Sequence, residues 1–242
     1  MEAIRIQGLT KRYKDIVAVD HLNLSVQKGE LFSLLGVNGA GKSSVIKMLS
    51  CLTQPTAGDA FLNGKSICKD PAEVKAMIAV APQETAIAPG LTVFENLGLI
   101  CGIYGFAKEK KAARIQELTQ LLGLKPVLNR KAGKLSGGWQ RRLSLAMALI
   151  SEPEILFLDE PTLGLDVLAR SDLWELIQSL KGKVTIILTT HYMEEAEALS
   201  DRIGIMASGR LLAVGTVKEL IDKTGASDFE EAFVSIVKGA SA

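Results

Sequence analysis

The sequence predicts an α/β fold with a mostly parallel central sheet, and three observations carry that expectation. Leu31-Phe32-Ser33-Leu34-Leu35 reads as a strand, runs into a Gly-rich loop, and is followed by Ser44-Val45-Ile46-Lys47-Met48-Leu49, which has helical apolar spacing. Ile155-Leu156-Phe157-Leu158 is a continuous apolar run, as expected for a parallel strand covered on both faces. Val184-Thr185-Ile186-Ile187-Leu188 is another, and strands alternating with helices define this fold class.

The remaining elements follow along the chain. Ile4-Arg5-Ile6 alternates as a strand does, and Leu22-Asn23-Leu24-Ser25-Val26 does so again before the turn Lys28-Gly29. Turn formers fill Thr53 to Gly58, after which Ala60-Phe61-Leu62 and Met77-Ile78-Ala79-Val80 read as strands, the second ending at Pro82-Gln83. From Thr92 to about Gly123 the pattern is helical, with Lys108-Glu109-Lys110-Lys111 as a solvated helix face rather than a nucleic-acid patch. The helical insert from about 86 to 150 interrupts the α/β alternation and reads as a separate lobe. Leu135-Ser136-Gly137-Gly138 opens a helical run from Trp139 to Leu149. Near the C-terminus Phe229, Phe233, Ile236 and Val237 share one helix face. That face suits packing back onto the domain; contact with a second subunit or a membrane partner is the alternative.

Length and composition exclude several classes. A chain of 242 residues can bury the full core of one α/β domain. Its formal net charge of +1 gives no general pull toward nucleic acid or anionic lipid. Three cysteines, Cys51, Cys68 and Cys101, are an odd count without a C-x-x-C pair, which favours a reducing cytosol over a disulfide framework or a zinc site. Hydrophobic residues make up 48%, yet no apolar run approaches the roughly 18–20 residues that span a bilayer. The longest, Leu97 to Ala107, contains three glycines. Met1-Glu2-Ala3-Ile4-Arg5 lacks a signal-peptide core, so the expectation is a soluble or peripheral protein.

Three segments carry chemistry. Gly36-Val37-Asn38-Gly39-Ala40-Gly41-Lys42-Ser43-Ser44 fits G-x-x-x-x-G-K-[ST], a loop whose backbone N–H groups and helix N-terminus wrap phosphate. Lys42 would reach the β- and γ-phosphates, and the Ser43 hydroxyl would hold Mg²⁺. Asp159-Glu160 places two carboxylates at the C-terminal end of an apolar strand, the edge of a parallel sheet where ligands bind. Asp159 suits Mg²⁺, and Glu160 suits a general base that polarises the attacking water. Ser136 either caps its helix or, with the Gly137 and Gly138 amides, makes a second anion site. Two such sites, far apart in sequence, invite a meeting across a dimer.

With these residues in view the chain, from about Ile4 to Gly215, resembles the ATP-binding subunit of ABC transporters. The family's motifs occur in the family's order. Tyr13 matches the aromatic that stacks on adenine, Gly36 to Ser44 the Walker A loop, and Gln83 the Q-loop glutamine. Leu135-Ser136-Gly137-Gly138 matches the signature motif, and Asp159-Glu160 the Walker B end. Gly164-Leu165-Asp166 matches the D-loop, and His191 the H-loop histidine. The segments Leu91 to Leu97, Tyr104-Gly105 and Gly215 to Leu220 resemble the antibiotic, multidrug and sodium exporter branch. One departure stands out: the signature's fifth position is commonly Gln and here is Trp139, with Gln140 pointing about 100° away on the helix.

The resemblance implies a P-loop NTPase fold with an antiparallel β subdomain and a helical lobe. The ATPase domain would span 1–222 and a helical tail 223–242. It also implies ATP and Mg²⁺ as cofactors, with Ser43, Gln83 and Asp159 at the metal and Glu160, His191 and Gln83 serving catalysis. Two copies would pair head to tail, one subunit's Walker A loop facing the other's signature motif and Asp166 crossing the interface. The groove from Gln83 to Tyr104 would receive a helix of a membrane-spanning permease, which would hold the protein on the cytoplasmic face of the membrane. The implied activity is ATP hydrolysis driving export. The alternatives are a soluble ABC-type ATPase acting on nucleic acid or ribosomes, against which stand the neutral charge and the missing coiled-coil insertion, and a nucleotide sensor without turnover, against which stand Glu160 and Ser136.

Overall fold

The computed structural model describes residues 1–239, so 240–242 of the expected tail lie outside the described residues. Its strands fall into two sheets. β1 (Glu2–Tyr13), β2 (Ile16–Gln27), β4 (Ala57–Leu62) and β5 (Lys65–Ser66) pair antiparallel in the order β2-β1-β4-β5. The central sheet has the order β10-β9-β3-β8-β7-β6. It is formed by β3 (Leu31–Leu35), β6 (Ile78–Ala81), β7 (Ile155–Asp159), β8 (Thr185–Thr190), β9 (Arg202–Ala207) and β10 (Arg210–Gly215). Every pairing in it is parallel except that of β10 with β9.

Alternation along the central strands divides the core between two faces. Ile155, Phe157 and Ile187 join Phe32, Leu34, the antiparallel sheet and α1 (Lys42–Leu49) in one cluster. Leu156, Leu158, Ile186 and Leu188 face the other way. There they meet α3 (Val93–Ile103), α4 (Lys108–Leu121), α5 (Gly137–Leu149) and α6 (Val167–Leu180). The helices of the 86–150 insert therefore share one continuous core with the sheet.

Local chemistry explains the element ends, including two that differ from expectation. The strand expected from Met77 begins at Ile78, because Met77 closes α2 (Pro71–Met77), a short helix opened by Asp70 and a first-position proline. The helical stretch from Thr92 is two helices, broken between Tyr104 and Ala107. Thr92 starts the first with a capping box: its hydroxyl accepts from the Glu95 N–H at 3.1 Å, and the Glu95 carboxylate accepts from the Thr92 N–H at 2.7 Å. Ser136 sits at the N-cap position of α5, yet its side chain makes no capping hydrogen bond.

After β8 come α7 (Met193–Leu199) and, beyond β10, α8 (Val217–Thr224), which runs across the expected boundary at 222/223. The last helix, α9 (Phe229–Gly239), lays Phe229, Phe233, Ile236 and Val237 against Leu35, Ile203, Ile205, Ala213 and Leu220. No helix among the described residues is long and apolar enough to cross a membrane. Phe229→Ala should lower the unfolding free energy by about 3 kcal/mol through loss of a buried ring. A urea melt with an unchanged midpoint would show that the tail is not part of the fold.

Candidate functional site

The site begins where β3 ends. Between Leu35 and α1 the loop turns through Gly41, whose φ of +104° lies in the left-handed region. A Cβ on Gly41 would meet the Ala18 carbonyl of β2 at 2.3 Å, and one on Gly36 would meet the Met206 carbonyl of β9 at the same distance. Backbone on both flanks thus requires glycine at each position. Gly41 is the N-cap of α1 and offers no side-chain acceptor, so the helix presents its first N–H groups to the loop.

Lys42 is buried beneath that loop. Its ammonium donates to the Gly36 carbonyl at 2.7 Å and the Val37 carbonyl at 3.2 Å, and lies 3.7 Å from Glu160 Oε1. Burial pulls the Lys42 pKa below its usual value, while the Glu160 and Asp159 carboxylates pull it back up. Ser43 Oγ donates to Asp159 Oδ1 at 3.2 Å, and Thr189 Oγ1 donates to the same oxygen at 2.5 Å. Glu160, just past β7, has a φ of +47°. Such backbone costs about 1–3 kcal/mol in a residue with a side chain. It is held by two bonds from its N–H, to the Thr189 carbonyl at 3.0 Å and Thr189 Oγ1 at 3.2 Å. His191 follows β8; its Nδ1 lies 3.3 Å from Glu160 Oε2, is buried, and makes no aligned hydrogen bond.

These groups surround a cleft of about 460 Å³ lined by Asn38, Gly39, Ala40, Gly41, Lys42, Ser43 and Ser44 with Ala18, Gln83, Glu160, Leu163 and His191. The loop, Gln83, Glu160 and His191 thus line one cleft, with Asp159 immediately behind Ser43. Among the described residues no three His, Cys, Asp or Glu side chains cluster as a metal cage. The hard oxygens of Ser43 and Asp159, with the Gln83 amide on the same cleft, fit a Mg²⁺ ion that takes most of its ligands from phosphate and water.

Other expected residues lie elsewhere. Tyr13, 43% exposed, is outside the cleft lining at the end of β1, with the Lys11 ammonium 5.0 Å from its ring centroid. Leu135, Ser136, Gly137 and Gly138 do not line the cleft either. Ser136 is exposed, and Gly137 and Gly138 pack so closely on Leu165 and Ala169 that added Cβ atoms would sit 3.3 and 3.0 Å from those side chains. Asp166 caps α6, its Oδ1 accepting from the Ala169 N–H at 2.9 Å. The Trp139 ring lies under the Arg142 guanidinium at 4.9 Å, whereas Gln140 Nε2 donates to the Ala132 and Leu135 carbonyls, each at 3.2 Å.

Sequence reasoning missed three supporting residues. Thr189 anchors the Asp159 carboxylate and the Glu160 backbone N–H; its signal was a polar pair, Thr189-Thr190, ending an apolar strand. Arg141 donates to the Pro82 carbonyl at 3.0 Å, tying α5 to the segment that carries Gln83. Glu195, fully buried on α7, accepts from Trp174 Nε1 of α6 at 3.1 Å, and burial pushes its carboxyl pKa up.

Comparison with known proteins follows from this geometry. The family model described as ABC transporter matches residues 19–163. Over 240 residues the chain is 38% identical to the probable multidrug ABC transporter ATP-binding protein YbhF of Escherichia coli, covering 97% of this chain and 41% of that protein. The chain therefore spans less than half the length of that relative. It is 42% identical over 232 residues to the Nod factor export ATP-binding protein I of Burkholderia thailandensis, with 95% of this chain and 76% of that protein covered. A solved ATP-binding subunit of an ABC transporter superposes with a TM-score of 0.85 at 29% identity, over 97% of this chain and 99% of that one. The dimeric post-hydrolysis state of the ATP-binding cassette MJ0796, bound to ADP and Pi, gives 0.78 at 27% identity, over 88% and 98%.

Lys42→Ala removes a charged donor worth about 1.5–3 kcal/mol, so ATP affinity should fall roughly 10- to 100-fold. Titration with a fluorescent ATP analogue checks this, and unchanged affinity would remove Lys42 from phosphate binding.

Proposed function

The chain belongs to the ABC transporter family, and from that premise we propose that it is an ATP-binding and ATP-hydrolysing subunit that energises export through a separate membrane-spanning partner. The observation that supports this most is the separation of the two anion-binding elements. The loop from Gly36 to Ser44, with Glu160 and His191, forms one half of a site. Ser136, Gly137 and Gly138 open α5 on an exposed surface outside that cleft. A second copy of the chain, docked head to tail, would bring its Ser136 hydroxyl and glycine amides over the first copy's nucleotide.

In this reading each residue of the cleft has a defined task. The amides from Asn38 to Ser44 bind the phosphates, and Lys42 transfers its ammonium from the Gly36 and Val37 carbonyls to the phosphate oxygens. Ser43, Asp159 and Gln83 hold Mg²⁺, which supplies charge neutralisation on the phosphates. Glu160 accepts a proton from the water that attacks the γ-phosphorus, as the bond to the ADP oxygen breaks. Its carboxylate is already set between Lys42 at 3.7 Å and His191 at 3.3 Å. His191 Nδ1, buried without an aligned partner, is poised to take up a γ-phosphate contact. Tyr13 would stack on adenine only if the β1–β2 hairpin end closes over the base.

A groove of about 520 Å³ between β6 and the helical insert supports a membrane partner. Ala79, Pro82, Ala86, Ile100, Ile103, Tyr104 and Met147 contribute to it, and Ile103 and Tyr104 are 72% and 50% exposed. The permease's cytoplasmic helix would dock there, next to Gln83, and peripheral attachment to the cytoplasmic face of the membrane follows.

Glu160→Gln should keep ATP binding, cut hydrolysis by about 10²–10⁴-fold and trap an ATP-dependent dimer on gel filtration. A turnover rate equal to wild type in that variant would dismiss Glu160 as the base. Ser136→Arg should leave nucleotide binding to the isolated subunit intact while lowering turnover by at least about tenfold. Full turnover in Ser136→Arg would reject the shared site.

A further inference from the structure

A third cavity, on the helical insert and distinct from both the phosphate cleft and the groove beside β6, has a chemistry of its own. It encloses about 640 Å³, within the roughly 300–1,000 Å³ typical of small-molecule sites. Phe94 of α3, Ala112 and Ile115 of α4, and Leu128 after the turn Lys125–Val127 form its apolar walls. Lys108, Lys111 and Lys125 also line it, and no carboxylate does. None of these three lysine side chains forms an ion pair or hydrogen bond among the described residues. Of the acids on α4, Glu117 is already paired with Arg114 at 2.7 Å. Thr119, 93% buried, contributes a hydroxyl to the wall that has no hydrogen-bond partner. An apolar slot, three unpaired cations and an unsatisfied buried hydroxyl are complementary to one chemical class.

We propose that this cavity binds an anionic single-chain amphiphile, its alkyl chain between Phe94, Ile115 and Leu128 and its head group among Lys108, Lys111 and Lys125. The chain removes apolar surface from water at the slot. The head meets three ammonium groups that lack other partners, so binding weakens as salt rises. The amphiphile can come from solution or from the surface of a membrane, because the same chemistry serves both. The site stands independently of the proposed ATPase cycle and uses none of its residues.

The test is isothermal titration of the full chain with decanoate below its micelle-forming concentration. Decyltrimethylammonium serves as the cation control, and two variants probe the site. Lys111→Glu combined with Lys125→Glu should weaken decanoate binding by at least about tenfold. Ile115→Trp, which fills the slot, should abolish it, and thermal unfolding midpoints near wild type show that both variants are folded. Decyltrimethylammonium should bind at least about tenfold more weakly than decanoate. Flotation with phosphatidylglycerol vesicles against phosphatidylcholine vesicles assigns the source. Vesicle binding that decanoate competes away indicates a membrane lipid, decanoate binding alone indicates a free amphiphile, and either upholds the site. Absence of saturable binding, equal affinity in the charge-reversed variant, or vesicle binding that survives both variants would overturn it. So would a change of oligomeric state in Ile115→Trp when the wild type binds no amphiphile, which would assign the slot to a second copy of the chain.

Discussion

The hydroxyl of Thr189 is the contact on which the rest of the phosphate site depends. β7 and β8 run parallel with Asp159 opposite Thr189, so the hydroxyl reaches both carboxylate-bearing residues at once. It donates to Asp159 Oδ1 at 2.5 Å and accepts from the Glu160 N–H at 3.2 Å. Through Asp159 the same contact extends to Ser43, and so from the sheet to the first residues of α1. Together with the Thr189 carbonyl, which accepts from the Glu160 N–H at 3.0 Å, the hydroxyl holds Glu160 in the left-handed region, where a side chain crowds its own backbone. In a low-dielectric interior such a network holds each member firmly only while all are satisfied. Burial lowers the Lys42 pKa by destabilising the ammonium, and the two carboxylates pull it back up.

What could be read from the sequence divides along physical lines. β3, β7 and β8 were legible because strands covered on both faces leave continuous apolar runs, and the loop between β3 and α1 because its glycines, lysine and serine stand at the spacing of a phosphate-wrapping loop. α2 was not, since seven residues give too few turns for a periodic signal, although Asp70-Pro71 marked its start. The break between α3 and α4 was hidden because both helices bury the same kind of face. In the site, Gln83, Glu160 and His191, which follow strand ends, line one cleft because parallel register carries them to one edge. Residues on helix starts were harder. Asp166 was expected to cross an interface and is occupied in capping α6; Ser136 was open to a capping role and its side chain makes no such bond. Tyr13 was expected at the base but lies outside the cleft lining, since pattern alone does not say how a hairpin end is tilted.

Three consecutive residues of α5 tie the segment that carries Gln83 to the loop that carries Ser136. Successive helical side chains diverge by about 100°, so adjacent residues address different neighbours. Gln140 reaches back to the Ala132 and Leu135 carbonyls and fixes the loop that presents Ser136. Arg141 grips the Pro82 carbonyl, one residue before Gln83. Arg142 pairs with Asp172 of α6 at 2.5 Å and covers the Trp139 ring. Trp139 at the usual glutamine position therefore does not leave the loop unsupported, because Gln140 braces it from behind. In the proposed cycle a ligand that drew Gln83 toward the phosphate loop would pull on Pro82, and through Arg141 on α5. As α5 carries Ser136, Gly137 and Gly138 at its start, in the proposed cycle occupancy of the phosphate cleft would bear on how those three residues are presented. Such a coupling would need no hinge inside α5, only the stiffness of a helix held at three adjacent residues.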